Sequence, residues 1–428
     1  METSFTQNQD RLKINGQRLW SNLIELGRIG RQADGGITRT ALSDADQQAR
    51  QWLIDKMTAA GLAVDVDAAM NVIGTLTADG PRTRQKAVLG SHLDTVPNGG
   101  MFDGALGVLA ALECAQAFQE NRVPLPWDLE VISFCDEEAA HNAGTVGSRA
   151  MMGRLQPGEI ERTKARGAPS FAQNLERLGR DPRRIDAARR NPEDLAFFLE
   201  LHIEQGRRLE SEKLRIGAVT AIVGIYRYIV SVAGEPGHAG TTPMALRKDA
   251  LVEAAPVFTL LPEWLRQRNP EMVGTIGQVS LEPGASNVVP GECRFVVELR
   301  SQIDADMQAV RDSLKAHAAR RAGWRIETIY EKDSVRLAEP LVNHIIAAAE
   351  SEGLSWCRMP SGAGHDAQSL APFVPTGMIF VPCRSGVSHT PAEWIEPENA
   401  AEGCRVLCKT VLRLAAEYRA SRATPAHE

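Results

Sequence analysis

Three times along this chain an apolar run of strand length stops abruptly at histidine or carboxylate residues. KAVLGSHLDT closes on His92 and Asp94, WDLEVISFCDEE on Asp136, Glu137 and Glu138, and DLAFFLELHIEQG on His202 and Glu204. An unbroken apolar run reads as a strand buried on both faces, the kind that helices cover in a parallel sheet. The small-residue stretch DGALGVLAALECAQAFQ supplies one such helix. In open α/β sheets ligands collect beyond the carboxyl ends of the strands, where these polar residues fall. The repetition predicts an α/β fold with its chemistry gathered along those strand ends.

The rest of the chain divides around this pattern. A helix is expected over Gln7–Arg31, with Leu12, Ile14, Leu19, Leu23 and Leu26 on its apolar face, and a second from the N-cap Ser43 to Gly61. Strands are expected at Leu62–Val66 and Val72–Leu76. From about Gly217 to Lys332 the order changes to strand (Ile222–Val232), helix (Pro243–Arg266), strands (Val273–Leu281 and Cys293–Arg300), helix (Asp304–Arg321) and strand (Arg325–Tyr330). That βαββαβ order is the ferredoxin-like unit. After Val335 the alternation resumes with a helix (Leu341–Glu352), a strand (Gly377–Val381) and a helix (Glu398–Arg419). The expected organisation is a catalytic α/β domain, 1–213 and 335–428, interrupted by a smaller domain at 214–334; the SRATPAHE end reads as a frayed tail.

Composition removes several classes of function. A net charge of -6 argues against a dedicated nucleic-acid or anionic-membrane surface. No apolar run approaches the roughly 20 residues that span a bilayer. The METSFTQNQD start lacks the pattern of a signal peptide, so a cytoplasmic setting is expected. The seven cysteines are scattered and odd in number, which suits buried reduced thiols. Cys404 and Cys408, four apart on an expected helix, have no cysteine or histidine partner nearby in sequence.

The chemistry must come from the strand ends. Alternation places His92 and Asp94 on one face, where the Asp94 carboxylate would accept the second ring N–H of a metal-bound imidazole. Asp103, in NGGMFDGALG, reads alone as a helix N-cap. An isolated Glu137–Glu138 pair reads as an exposed acidic loop, but this one ends a buried strand and needs a cation or proton to relieve its repulsion. His202 shares a face with Glu200 and Glu204, and Ser388-His389-Thr390 follows another strand through PCRSGV. Together, three imidazoles and two or three carboxylates without thiolate suit a pair of Zn²⁺, Mn²⁺, Co²⁺ or Ni²⁺ ions serving hydrolysis.

The segments GSHLDTVPNGGMFDGALGVLAALE, DEEAAHNAGTVGSRAM, ELHIEQGRRLE, GHAGTTPMALRKDA, SNVVPGECRFVVELR, SGAGHDAQ and SHTPAEW occur in collinear order from about Leu42 to Gly403. They resemble the motifs of the hydantoinase/carbamoylase group, which holds N-carbamoyl-L-amino acid hydrolases, allantoate amidohydrolases and β-ureidopropionases. That group lies within the dinuclear metallopeptidase superfamily of aminoacylase and carboxypeptidase G. The resemblance implies two divalent ions, with Asp103 bridging, His92 and His202 on one ion, and Glu138 and His389 on the other. His202, where the peptidases place a carboxylate, is itself a mark of the carbamoylase group. The resemblance also implies Glu137 as general acid/base beside a metal-bridging hydroxide, and Gln205, His238, Asn287 and Arg300 as substrate contacts. His238 would in addition act catalytically on the developing oxyanion. His365 and Asp366 would support the site. The inserted domain would serve as lid and as the contact surface of a homodimer.

One departure stands out. Where relatives follow the EE pair with Gly, a basic residue and an aromatic, this chain has Ala139-Ala140-His141-Asn142. His141 is expected to be a loop histidine rather than a substrate contact. The expected activity is hydrolysis of the C–N bond of an N-carbamoyl amino acid or a ureido acid such as allantoate. A peptidase or N-acyl amino acid hydrolase on the same scaffold is the second reading, and a non-catalytic binding protein the third.

Overall fold

The structure, a computed structural model, describes residues 13–78, 83, 85–141, 144–163 and 167–423. Residues 7–12 of the expected first helix (Leu12 among them), Asn142 and residues 424–428 of the expected tail therefore lie outside the described residues. The chain divides into two units: Met1–Thr220 with Leu337–Met359 and Gly364–Glu428, and Ala221–Arg336 with Pro360–Ala363.

The first unit opens with helices α1 (Gly16–Leu26) and α2 (Asp44–Ala59). Helix α1 buries Leu19, Leu23 and Leu26, a single stripe; it starts after the N-cap Asn15, leaving Ile14 outside it, and ends at its C-cap Gly27, short of the expected Arg31. Ser43 caps α2 by accepting the Asp46 N–H. Strands β1 (Ala63–Val66), β2 (Val72–Leu76), β3 (Lys86–His92), β4 (Asp128–Phe134), β5 (Leu195–Ile203) and β6 (Ile216–Ile222) follow, with helix α3 (Ala105–Glu120) between β3 and β4. Short helices α4 (Val146–Met151) and α5 (Phe171–Arg177) precede β5.

The second unit comprises β7 (Gly224–Ala233), β8 (Gly237–His238), α6 (Ala250–Arg268), β9 (Val273–Glu282), β10 (Val288–Val289), β11 (Glu292–Ser301), α7 (Asp304–Ala319), β12 (Trp324–Lys332) and β13 (Val335–Arg336). The chain then returns through α8 (Glu339–Ser351), β14 (Trp356–Ser361), β15 (Thr376–Val381) and α9 (Pro397–Ala423).

The first unit's sheet has the order β1-β2-β4-β3-β5-β15-β6, with β14 also on β6. Its centre is parallel: β3 pairs in parallel with β4 and β5, and β5 with β15. Strands β1, β2 and β6 pair antiparallel at the flanks. β4 and β5 are buried almost throughout, as their unbroken apolar sequences demand. Helix α3 is buried on nearly every side, which its alanine and glycine content permits.

In the second unit an antiparallel sheet of order β12-β7-β11-β9 buries one face. Tyr226, Tyr228, Val230 and Val232 of β7 and Phe295, Val297 and Leu299 of β11 pack with Ala254, Val257 and Leu261 of α6 and Val310 and Leu314 of α7. Two expectations are corrected here. The strand expected at Ile222–Val232 is two strands broken at Val223, whose N–H donates to the Ser361 carbonyl. The helix expected from Pro243 begins at Ala250, because Asp249 caps it by accepting from Leu251 and Val252. Among the described residues no helix is long and apolar enough to cross a membrane.

Candidate metal centre

Four adjacent parallel strands, β4-β3-β5-β15, bring their carboxyl ends to one side. His92 is the last residue of β3 and lies opposite Phe134, the last of β4. His202, near the end of β5, lies opposite Phe380 of β15. Glu137 and Glu138 follow β4, and His389 sits in the loop between β15 and α9. Residues nearly 300 positions apart in the chain thus converge because parallel strands all end on one side.

Asp103 stands at the centre. Its Oδ1 lies 3.1 Å from His202 Nε2 and 3.5 Å from His92 Nε2. Its Oδ2 lies 3.2 Å from His389 Nε2, which is itself 3.3 Å from Glu138 Oε1. Each oxygen therefore serves a different donor group: His92–Asp103–His202 on one side and Asp103–Glu138–His389 on the other. Donor atoms around an ion with bonds of about 2.0–2.2 Å stand roughly 3–3.5 Å apart, so the spacing fits two ions sharing one carboxylate. Glu137 belongs to neither group; its Oε2 is 3.8 Å from His92 Nε2.

Surrounding hydrogen bonds orient these donors. His92 Nδ1 is 2.9 Å from the Asp94 carbonyl and His202 Nδ1 is 2.9 Å from the Ile203 carbonyl. A ring N–H donated there leaves each Nε2 as a lone-pair donor towards Asp103. The expectation for Asp94 is corrected in part: its backbone carbonyl takes the hydrogen bond with His92, while its carboxylate Oδ1 stands 3.7 Å from the same Nδ1. The carboxylate instead accepts the Glu138 N–H at 3.1 Å and the Glu137 N–H at 3.4 Å, fixing the EE turn. Glu204 also stands apart, accepting from the Arg208 and Leu209 N–H groups. Asp103 caps nothing, since α3 starts from Gly104 without a side-chain cap. Gly104 has φ +64, and a Cβ there would lie 2.5 Å from the His92 ring, so only glycine fits. Asp136, Ala139, Gln205 and His389 are all held at positive φ, a clustering of backbone strain typical of functional loops.

Glu393, within SHTPAEW, is a residue of the site that its sequence setting does not single out. Its buried Oε1 accepts the N–H groups of Phe102 (2.9 Å) and Asp103 (3.0 Å), and its Oε2 lies 2.8 Å from the Ser388 hydroxyl. It thereby ties the Asp103 loop to the His389 loop. The only signal available was its place four residues beyond His389.

The electrostatics call for cations. Burial pushes the Glu137 carboxyl well above the usual range, and Glu138, Asp366 and Asp94 push the same way against His92. Burial would raise Asp103 too, but His202, His389 and His92 hold it well below the usual range. Hydrogen bonds to Asp103 and Glu138 bring the His389 imidazole up to about 10. Acidic groups so placed draw in positive charge, as protons on imidazole or as metal ions.

The remaining candidates are distributed more widely. Gln205 Nε2 donates to Asp103 Oδ2 at 2.6 Å, while its Oε1 is buried without a hydrogen-bond partner. His365 packs edge-on against His202, and Glu200, close to both rings, accepts from Ser91 Oγ and the Ala367 N–H. Asp366 is buried beside them, its carboxyl raised well above normal by burial and by Glu200. His141 is a buried loop histidine held between Asp136 (2.8 Å) and Asn174 (2.9 Å). His238, Asn287 and Arg300 lie in the second unit. There β8 pairs with β10, the Ala239 N–H donates to the Asn287 carbonyl, and both His238 and Asn287 are exposed. Arg300 Nε donates to Glu298 and Nη1 to the Gly362 carbonyl.

Residues 88–413 match the family described as Peptidase family M20/M25/M40. An N-carbamoyl-L-amino acid amidohydrolase of Geobacillus stearothermophilus is 41% identical over 94% of this chain and 99% of its own length. An allantoate amidohydrolase of Escherichia coli is 34% identical over 93% and 98%. The crystal structure of an amidase of the hydantoinase/carbamoylase family from Burkholderia multivorans superposes with a TM-score of 0.86 at 33% identity, over 95% of this chain and 99% of that one.

Proposed function

The chain belongs to the hydantoinase/carbamoylase group of peptidase family M20/M25/M40 and is an amidohydrolase; from that premise we propose that it hydrolyses the C–N bond of an N-carbamoyl amino acid or a related ureido acid such as allantoate. The products are the free amine and carbamate, which decays to ammonia and carbon dioxide. The observation that carries the reading is the division of Asp103, one oxygen towards His92 and His202 and the other towards His389 and Glu138.

His92, Asp103 and His202 would hold one divalent ion, and Asp103, Glu138 and His389 the other; imidazole and carboxylate donors suit Zn²⁺, Mn²⁺, Co²⁺ or Ni²⁺. When bound, such a pair supplies Lewis-acid activation of a carbonyl and of water. Glu137 moves the proton, taking it from water and returning it to the leaving nitrogen. Its carboxyl is raised by burial and by neighbouring acids, and two divalent charges nearby would lower it again; a group in this role both accepts and donates. Arg300 and Asn287 bind the substrate carboxylate. A guanidinium has five donors, so the bonds to Glu298 and Gly362 leave others free for a second carboxylate. His238 stabilises the developing oxyanion, and Gln205 orients the substrate beside Asp103.

The test is a kinetic comparison on metal-replete protein. N-carbamoyl-L-amino acids, β-ureidopropionate and allantoate are set against N-acetyl amino acids and dipeptides, with ammonia and amine release followed. At least one ureido acid should exceed the acyl compounds by about 10²-fold in kcat/KM, a discrimination of roughly 3 kcal/mol. Faster turnover of the acyl or peptide substrates would overturn the proposal.

A further inference from the structure

Helix α3 carries Cys114, and helix α9 carries Cys404 and Cys408 one turn apart on the face that meets it. The fold thus supplies the partner that the Cys404–Cys408 spacing lacks in sequence. The Cys114 and Cys404 sulfurs are 3.9 Å apart, and all three sulfurs lie within 4.8 Å of one another. All three residues are fully buried.

The group consists of sulfur alone; among the described residues no imidazole or carboxylate joins it. The neighbouring Glu113 is already committed, accepting from Asn15 N at 2.6 Å and from Arg18 Nη2 and Nε at 2.9 and 2.7 Å. Three sulfurs around one ion with bonds of about 2.3 Å stand about 4.0 Å apart in a trigonal plane. The observed spacing therefore needs little adjustment. Structural zinc takes four ligands and would be one short here, whereas soft Cu(I) is selected by thiolates and has no need of the fourth.

We propose that Cys114, Cys404 and Cys408 form a three-sulfur site for Cu(I) in the seam between α3 and α9. Without an ion the Cys404 Sγ donates to the Ala110 carbonyl at 3.6 Å and the Cys114 Sγ to the Cys404 carbonyl at 3.8 Å. Cysteine sulfur binds a metal ion as thiolate, so the ion would enter by displacing thiol protons. The site is separate from the hydrolytic centre: Cys114 lies nine residues beyond the start of α3, about 14 Å along its axis.

The experiment uses the full chain with divalent ions at the hydrolytic centre. Cu(I) is titrated anaerobically against bicinchoninate, both on the native protein and during refolding, so that burial does not prevent loading. One equivalent should be retained, and copper X-ray absorption should show about three sulfur neighbours at ~2.3 Å. The hydrolytic donors contain no sulfur, and among the described residues no other three cysteines stand together, so three sulfur neighbours report this site. Cys404→Ala should weaken retention at least tenfold; should that variant fold poorly, the wild-type spectrum still decides. Failure to retain Cu(I) under both loadings, nitrogen and oxygen neighbours only, or unchanged retention by a folded Cys404→Ala protein would each overturn the proposal.

Discussion

Glu137 and Glu138 are chemically identical neighbours, and their surroundings separate them. Glu138 points to His389 at 3.3 Å and shares a donor group with Asp103, whereas Glu137 stands 3.8 Å from His92 and outside both groups. Glu137→Gln should keep both metal ions and lose at least ~10²-fold in kcat, the usual scale for a general acid/base. Metal analysis beside steady-state kinetics checks this, and a parallel loss of metal would make Glu137 a ligand. Glu393 acts on Asp103 through the backbone. Glu393→Gln keeps an acceptor for two N–H groups but loses the charge, so it should cost under tenfold in kcat. Glu393→Ala leaves buried donors unpaired and should lower both metal affinity and thermal stability, by about 1–3 kcal/mol. Arg300→Lys should raise KM strongly at unchanged metal content, because an ammonium cannot reproduce paired guanidinium bonds. His92 and His202 could be picked out in the sequence because each ends an apolar run. The roles of Asp94 and Glu393 could not, since their partners are backbone N–H groups that no residue type advertises. Cys114 is a similar case: its partners lie on a helix 290 positions away.

At the level of elements, apolar continuity made β3, β4 and β5 readable, and their parallel pairing follows from the helices between them. The break between β6 and β7 was hidden, because Ile216–Ile222 and Gly224–Ala233 are both strand-forming and only the change of sheet divides them. Residues 243–249 form a 3₁₀ turn and a cap where helix was expected, since Asp249 outcompetes the upstream residues as N-cap. The strand-end arrangement has its own consequence. With the donors on four strands and their loops, removing metal should leave the sheet intact but abolish turnover, and Mn²⁺, Co²⁺, Ni²⁺ or Zn²⁺ should restore it. Circular dichroism with activity before and after chelation checks this; full activity in exhaustively demetallated protein would refute it. Proton competition sets the pH dependence. His389, at about 10 without metal, must release its proton to bind an ion. Affinity at the Asp103–Glu138–His389 site should therefore rise about tenfold per pH unit through neutral pH for each proton released, and acidification should expel the ion. Metal titration at about pH 6 and about pH 8 reads the slope.

At the scale of the whole molecule, the second unit's sheet ends on two strands with unpaired outer edges among the described residues, β9 and β12. The two edges differ. Strand β12 carries Arg325, Glu327, Glu331 and Lys332, the kind of charge that discourages another strand from docking. Strand β9 reads VGTIGQVSLE, with its single charge at the last residue, and exposes Val273 (59%) and Val279 (47%). An open edge of this kind, long and nearly uncharged, is a template for another strand. A second copy offering the same strand satisfies the β9 edges of both copies at once, as a two-fold symmetric pairing does, and leaves only the charged β12 edges outermost. We therefore expect a homodimer in which β9 of one protomer pairs with β9 of its partner. Sedimentation at micromolar concentration should find the dimer, and Val279→Lys, which sets a charge on the shared edge of each copy, should weaken it at least tenfold. The first unit holds every proposed metal ligand, so that variant should keep its full metal content. A wild-type monomer at micromolar concentration, or a Val279→Lys dimer as tight as wild type, would show that β9 is not the seam.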